Sequence, residues 1–185
     1  DNFCRNKNWE KIFDGLIDMR EKEGIKITFM MQVDTLSYQI ENFVEKANRA
    51  GCTQAFIGME SLNEANLEAA GKNQNHIDKF KELIDAYHHA GIVTHLAYII
   101  GFPFDTEESV RADMARLQEL GAEQASFFML TPLPGSMDYK KLSERQTILD
   151  SDLNNYDCFH ETFQHAHMRQ GSWMSAYQEA WKSFY

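Results

Sequence analysis

Gln32, Asp34, Glu60, Ser61, Lys72, Asp105 and Thr131 stand at, or just beyond, the ends of short apolar runs rich in β-formers. The runs are Phe29-Met30-Met31-Gln32-Val33-Asp34, Ala55-Phe56-Ile57-Gly58-Met59-Glu60-Ser61, Tyr98-Ile99-Ile100 leading into Gly101-Phe102-Pro103-Phe104-Asp105-Thr106, and Phe127-Phe128-Met129-Leu130 leading into Thr131-Pro132-Leu133-Pro134-Gly135-Ser136. A carboxylate, a carboxamide and a lysine gathered at strand ends can hold a charged small molecule through ion pairs and hydrogen bonds. Asp34 and Glu60 can also be read as an acid–base pair, which requires that they converge on a closed pocket. Asp34, Ser61 and Asp105 have an alternative reading as helix caps and turn residues. Gln32 and Glu60 favour a functional role, because such groups are expensive at a sheet end without a partner.

Each run is followed by a helical stretch, and strands alternating with helices imply a parallel sheet. In such sheets ligands bind at the carboxyl ends of the strands, so all four polar clusters should line one mouth. Strand alternation puts Met30, Gln32 and Asp34 on one face and Phe56, Gly58 and Glu60 on one face of the next strand. Gly58 leaves room for a close approach to the backbone. Lys72, twelve residues after Glu60, can fold back towards the same mouth; its alternative is a solvated surface lysine. The Gly101 turn leads into a helix that Thr106 can cap, and Thr131 to Ser136 forms a stiff loop in which two prolines remove amide donors.

The pattern predicts helices over 9–22, 40–50, 63–70, 77–89, 106–120 and 173–185, and strands over 25–33, 54–58, 93–100 and 125–130. Met174, Tyr177, Trp181 and Phe184 share a face of the last helix. Asp1-Asn2-Phe3 reads as the tail of a further strand, so the chain is expected to be a fragment of a longer protein. The fold expected is α/β: a partial (β/α) barrel with a parallel sheet, over residues 1–145, and a C-terminal helical extension over 146–185.

The 185 residues suit a globular domain, with 43% hydrophobic and 12% aromatic content. A formal net charge of −10 argues against a nucleic-acid partner. No apolar run reaches the roughly 20 residues of a membrane span. Cys4, Cys52 and Cys158 are odd in number and widely spaced, which fits a reducing, cytoplasmic setting. They lack metal-site spacing, and His160, His165 and His167, though crowded, are joined by no carboxylate or cysteine pattern. No metal site is therefore expected within the chain.

In order and spacing these motifs resemble the later part of a radical S-adenosylmethionine (radical SAM) domain, within the subfamily whose members often carry an N-terminal cobalamin-binding domain. The matching phrases are Asp1-Asn2-Phe3, Gln32, Gly58-Met59-Glu60-Ser61 with Leu67 and Lys72, Gly101 to Thr106, and Thr131 to Ser136. They cover about residues 1–140. The resemblance implies a cofactor-binding set: Asp1 near the methionine amino group, Gln32 and Glu60 (with its neighbour Ser61) at the methionine and ribose parts, Lys72 at the methionine carboxylate, and Ile99 with the Thr131-Pro132 backbone beside the adenine. It implies S-adenosylmethionine and a 4Fe-4S cluster as cofactors, cobalamin through a separate domain, and a small-molecule substrate that these residues do not identify.

Two departures stand out. Ala97 occupies a position where some relatives place a polar ribose ligand. The Cys-x3-Cys-x2-Cys triad that holds the cluster in the family is absent, and would lie upstream of Asp1 with the missing N-terminal part of the barrel. The chain alone is therefore expected to be inactive. A non-catalytic scaffold and the Asp34/Glu60 acid–base enzyme are the other readings.

Overall fold

A computed structural model describes residues 2–185. Seven α-helices and four strands occur among them in the order α1 (Trp9–Glu21), β1 (Phe29–Val33), α2 (Phe43–Ala50), β2 (Cys52–Glu60), α3 (Glu64–Ala69), α4 (Phe80–His89), β3 (Val93–Ile100), α5 (Glu107–Leu120), β4 (Gln124–Met129), α6 (Met137–Glu144) and α7 (Ser172–Phe184). The strands lie side by side in chain order in one parallel sheet. This is the arrangement that helical crossovers between successive strands produce. β1 and β2 pair in parallel with Met30 opposite Gln54 and Gln32 opposite Phe56.

The alternation of the strands separates two faces. Met31 and Val33, Ala55, Ile57 and Met59, Leu96, Tyr98 and Ile100, and Ala125, Phe127 and Met129 are buried. The opposite set is more open: Gln32 is exposed, while Gln54, Phe56, Gly58, Glu60, His95, Ile99, Ser126 and Phe128 are half-buried. Met30 on that face remains 53% exposed.

Two compact units divide the chain: residues 1–60, 72–97 and 119–126 form one, and residues 61–71, 98–118 and 127–185 the other. In the first unit Phe3, Trp9, Phe13 and Phe43 form an aromatic cluster, with the Phe13 and Phe43 rings 5.4 Å apart. In the second, Phe127 packs against Trp181 and Phe184 of α7. Trp173, Ala176 and Ala180 of that helix are buried, and Met174, Tyr177, Trp181 and Phe184, expected to share a face, are half-buried beside them.

Several boundaries differ from expectation. The first strand begins at Phe29, because the carbonyl of Ile27 is taken by the Arg20 guanidinium. Asn2 and Phe3 do not extend a strand: Phe3–Arg5 is a 3-10 turn. The second helix starts at Phe43, after a 3-10 turn at Ser37–Gln39 and a left-handed Asn42. The Thr106 cap forms as expected, with Thr106 and Ser109 exchanging backbone-to-side-chain hydrogen bonds at 2.9 and 3.1 Å.

Gly101 has a φ of +110°, and a Cβ there would sit 2.3 Å from Cζ2 of Trp173. Gly101→Ala should therefore destabilise the second unit by about 2–3 kcal/mol, through both backbone strain and overpacking. Urea unfolding monitored by tryptophan fluorescence measures this, and an unchanged midpoint would contradict the packing.

Candidate functional site

The carboxyl end of β2 carries an unusual backbone. Glu60 has a φ of +73°, a left-handed conformation that costs an ordinary residue about 1–2 kcal/mol. Such strain persists only where its surroundings over-determine it. Here Asn75 supplies that constraint: its side-chain amide donates to the carbonyls of Gly58 (3.2 Å) and Met59 (2.8 Å). The Asn75 side-chain carbonyl in turn accepts a 2.8 Å hydrogen bond from Thr35.

The Glu60 carboxylate folds back over Gly58, where a Cβ would lie 3.1 Å from Oε1. It therefore stays on the half-exposed face of the strand. Lys72 reaches the same oxygen at 3.0 Å, with the two side chains 17% and 40% exposed. A negative and a positive group thus stand together at a strand end, accessible to solvent. That arrangement suits a ligand carrying both an ammonium and a carboxylate, because each charge of the pair can be exchanged for one of the ligand's.

Asp34 is held differently. Its Oδ2 accepts from Asn2 at 2.9 Å and from Arg5 at 2.6 Å, and its Oδ1 from the Leu36 amide at 3.0 Å. Burial pushes its pKa up, but these donors outweigh burial and hold the carboxyl below the usual carboxylate range. Asp34 is thus a tie for the 3-10 turn after Asn2, which weakens its reading as a general base. Gln32 is exposed on β1. Asp1 lies outside the described residues.

At the amino end of the same open face, the sequence reading missed a polar ladder. Gln54 meets Nδ1 of His95 at 3.0 Å, and Nε2 of His95 meets Ser126 Oγ at 2.8 Å. Burial pushes the His95 pKa down and favours the neutral ring. Strand alternation puts Gln54, His95 and Ser126 on the open face, but no known motif marks them.

In the second unit a buried carboxylate organises the Gly101 turn. Asp105 is 1% exposed; its Oδ2 accepts from the amides of Gly101 (2.8 Å) and Phe102 (3.0 Å), and its Oδ1 from Asn66 (2.6 Å). The Asn66 carbonyl receives the Phe104 amide at 2.9 Å. Burial pushes Asp105 up to about 6, against these donors. Ser61 is fully buried, and its hydroxyl accepts the Asn63 amide at 3.1 Å. Ile99 is half-buried. Thr131 donates to the Met129 carbonyl at 3.0 Å, and Pro132 is buried. Thr131 and Pro132 line a cavity of about 730 Å³ together with Gly101 and Phe102.

The histidines have structural partners. His165 pairs through Nε2 with the Phe102 carbonyl at 2.9 Å, while its Nδ1 accepts the amides of His167 and Met168. His160 pairs with Asp157 at 2.9 Å. Among the described residues no group of three His, Cys, Asp or Glu side chains could hold a metal ion. Cys4 and Cys52 are buried, and burial pushes both thiols up to about 11, so neither offers a thiolate near neutrality. The cysteines of this chain do not fit a cluster.

Two predictions test these arrangements. Glu60→Gly and Glu60→Ala both remove the carboxylate, but only glycine accepts the left-handed backbone freely. The glycine variant should be the more stable of the two by about 1 kcal/mol in urea unfolding, and equal stability would contradict the strain. Asp105→Asn must set an amide donor against donors at one of its two oxygens, and should cost about 1–3 kcal/mol at pH 7. Because the folded pKa of Asp105 lies above the unfolded value near 4, its stabilisation is full below that value and is lost as the pH rises to about 6. The stability gap between the native chain and Asp105→Asn should narrow over that interval and stay constant above it. A gap that widens would contradict the assignment.

No protein-family model matches the chain. It is 29% identical over 154 residues to the bacteriochlorophyllide d C-12(1)-methyltransferase of Chlorobaculum tepidum, covering 83% of this chain and 33% of that protein. Its fold matches the radical S-adenosylmethionine methyltransferase TsrM of Kitasatospora setae, a structure with cobalamin and a [4Fe-4S] cluster bound. The TM-score is 0.69 at 17% identity, over 78% of this chain and 29% of that one. It also matches the radical SAM coproporphyrinogen III oxidase HemN of Escherichia coli, with a TM-score of 0.56 at 20% identity over 70% and 30% of the two chains. The chain spans about a third of the length of each of these proteins. The chain is thus similar in sequence to a methyltransferase and in fold to radical SAM enzymes.

Proposed function

We propose that this chain is the S-adenosylmethionine-binding part of a radical SAM enzyme whose cluster ligands lie outside it. The observation that carries the reading is the strained Glu60 at the end of β2, paired at 3.0 Å with Lys72. Lys72 receives the methionine carboxylate, and Glu60 and Gln32 hold the methionine and ribose parts. Ser61, buried beside Glu60, positions the turn that follows the strand. Ile99 and the Thr131-Pro132 backbone border the adenine. Ala97 supplies no polar contact, so the ribose depends on the β2 end.

Bound beside a 4Fe-4S cluster, S-adenosylmethionine supplies radical or methyl-transfer chemistry. The residues of this chain bind and orient it. Residues 1–145 form the barrel portion and residues 146–185 a helical extension, and the remainder of the barrel, with the cysteine triad, completes the enzyme. Two of the three compared proteins are methyltransferases, which favours methyl transfer and, with cobalamin bound in one of them, a cobalamin on a separate domain. Among the described residues no helix is long and apolar enough to cross a membrane. The free cysteines suit the cytoplasm. The scaffold reading finds no comparable support, because a scaffold has no use for a strained, paired carboxylate at the sheet end.

Calorimetric titration with S-adenosylmethionine tests the assignment. Glu60→Gln, Lys72→Gln and Gln32→Ala should each weaken binding by about 1–3 kcal/mol. Unchanged affinity in all three would remove the residue roles. After incubation with iron and sulfide the chain alone should show no cluster absorption and no S-adenosylmethionine cleavage; either signal would contradict the external triad.

A further inference from the structure

The cavity beside Thr131 and Pro132 has a chemical character of its own. Phe102, Leu130, Leu142 and Phe163 supply apolar walls, and Leu133 stands 56% exposed at its edge. Its volume of about 730 Å³ lies within the range of small-molecule sites, roughly 300–1,000 Å³. Arg145 and Lys141, at the end of α6, contribute to its lining, against Asp138 alone. Lys141 lies 3.9 Å from Asp138, both largely in solvent, and Arg145 has no ion pair among the described residues. His165 adds no charge, because its Nδ1 accepts two backbone amides and burial pushes its pKa down, while its Nε2 is committed to the Phe102 carbonyl.

A cationic rim over apolar walls is unexpected in a chain of net charge −10, where a random surface patch would be acidic. Few other groups in the cavity are free to orient a ligand. Thr131 spends its hydroxyl on Met129, and Pro132 has no amide hydrogen. A ligand held here gains affinity from burying an apolar body and direction from one negative group met by a guanidinium.

We propose that this cavity binds the substrate, an apolar molecule carrying a carboxylate, with Arg145 as the principal anchor and Lys141 beside it. The inference rests on the cofactor reading above, in which the Thr131-Pro132 edge faces the adenosyl group.

The test uses 1-pyrenebutyrate and its uncharged counterpart 1-pyrenebutanol, titrated into the 185-residue chain by fluorescence anisotropy. The carboxylate probe should bind about tenfold more tightly than the alcohol, the increment of one charge-assisted hydrogen bond. Arg145→Gln should remove that advantage while leaving the alcohol's affinity unchanged. Lys141→Gln should reduce it in part, and provides the readout if the arginine variant fails to fold. Lys140→Gln, an equal charge change on the same helix but outside the cavity lining, should leave both probes unaffected. Equal binding of acid and alcohol, no binding of either, or a Lys140→Gln effect matching that of Arg145→Gln would overturn the proposal. So would displacement of the acid by S-adenosylmethionine, which would make the cavity the cofactor's. Calorimetry with S-adenosylmethionine alone keeps the two readings apart. If it binds and the pyrene acid does not, only the substrate site fails; if it does not bind either, the cofactor reading fails with it.

Discussion

The backbone at Glu60 runs against the preference of its own side chain, and the candidate site depends on what holds it there. A left-handed glutamate at the end of a strand would relax to an extended conformation if nothing opposed it. Asn75 opposes it by taking the two preceding carbonyls, and Thr35 fixes Asn75 in turn. The result aims a carboxylate back over Gly58 on the open side of the sheet, within reach of Lys72. Remove the glycine and the carboxylate loses its room; remove the asparagine and the strain loses its support.

The second unit uses the same kind of device at the end of β3. Asp105 ties down the amides of the Gly101 turn, and Asn66 links that carboxylate to the Phe104 amide. In both places a buried side chain from a later turn gathers backbone groups at or beside a strand end. Such groups are costly when buried without partners, so the turns are fixed by hydrogen-bond satisfaction as much as by apolar packing. Rigid strand ends are what a site for a small charged ligand requires, because placement errors of the order of 1 Å are expensive in catalysis.

Much of this was legible from residue types. Apolar runs closing on polar residues located all four strands, and the position of Lys72 twelve residues after Glu60 anticipated a return to the same strand end. What escaped was set by tertiary partners. The first strand lost its opening residues because Arg20, at the end of the helix just before it, captures the Ile27 carbonyl. The large residues of α7 showed its apolar face, but Ala176 and Ala180, which are buried there too, carry little weight in a pattern built on large side chains. Nothing in the pattern singled out Asn75 or Asn66, and only the fold shows which carbonyls and carboxylates they reach. Asp34 could be read from sequence as an acid–base partner of Glu60 or as a turn residue, and three neighbours tie it down.

The account rests on Glu60 and Lys72 forming the receptor for the methionine end of S-adenosylmethionine. The direct measurement is carbon-13 and nitrogen-15 NMR of the Glu60 carboxyl and Lys72 ammonium signals, assigned by substitution, during titration with S-adenosylmethionine. The account predicts that both signals move together and saturate with the binding curve. Saturable binding with both signals unmoved would contradict it.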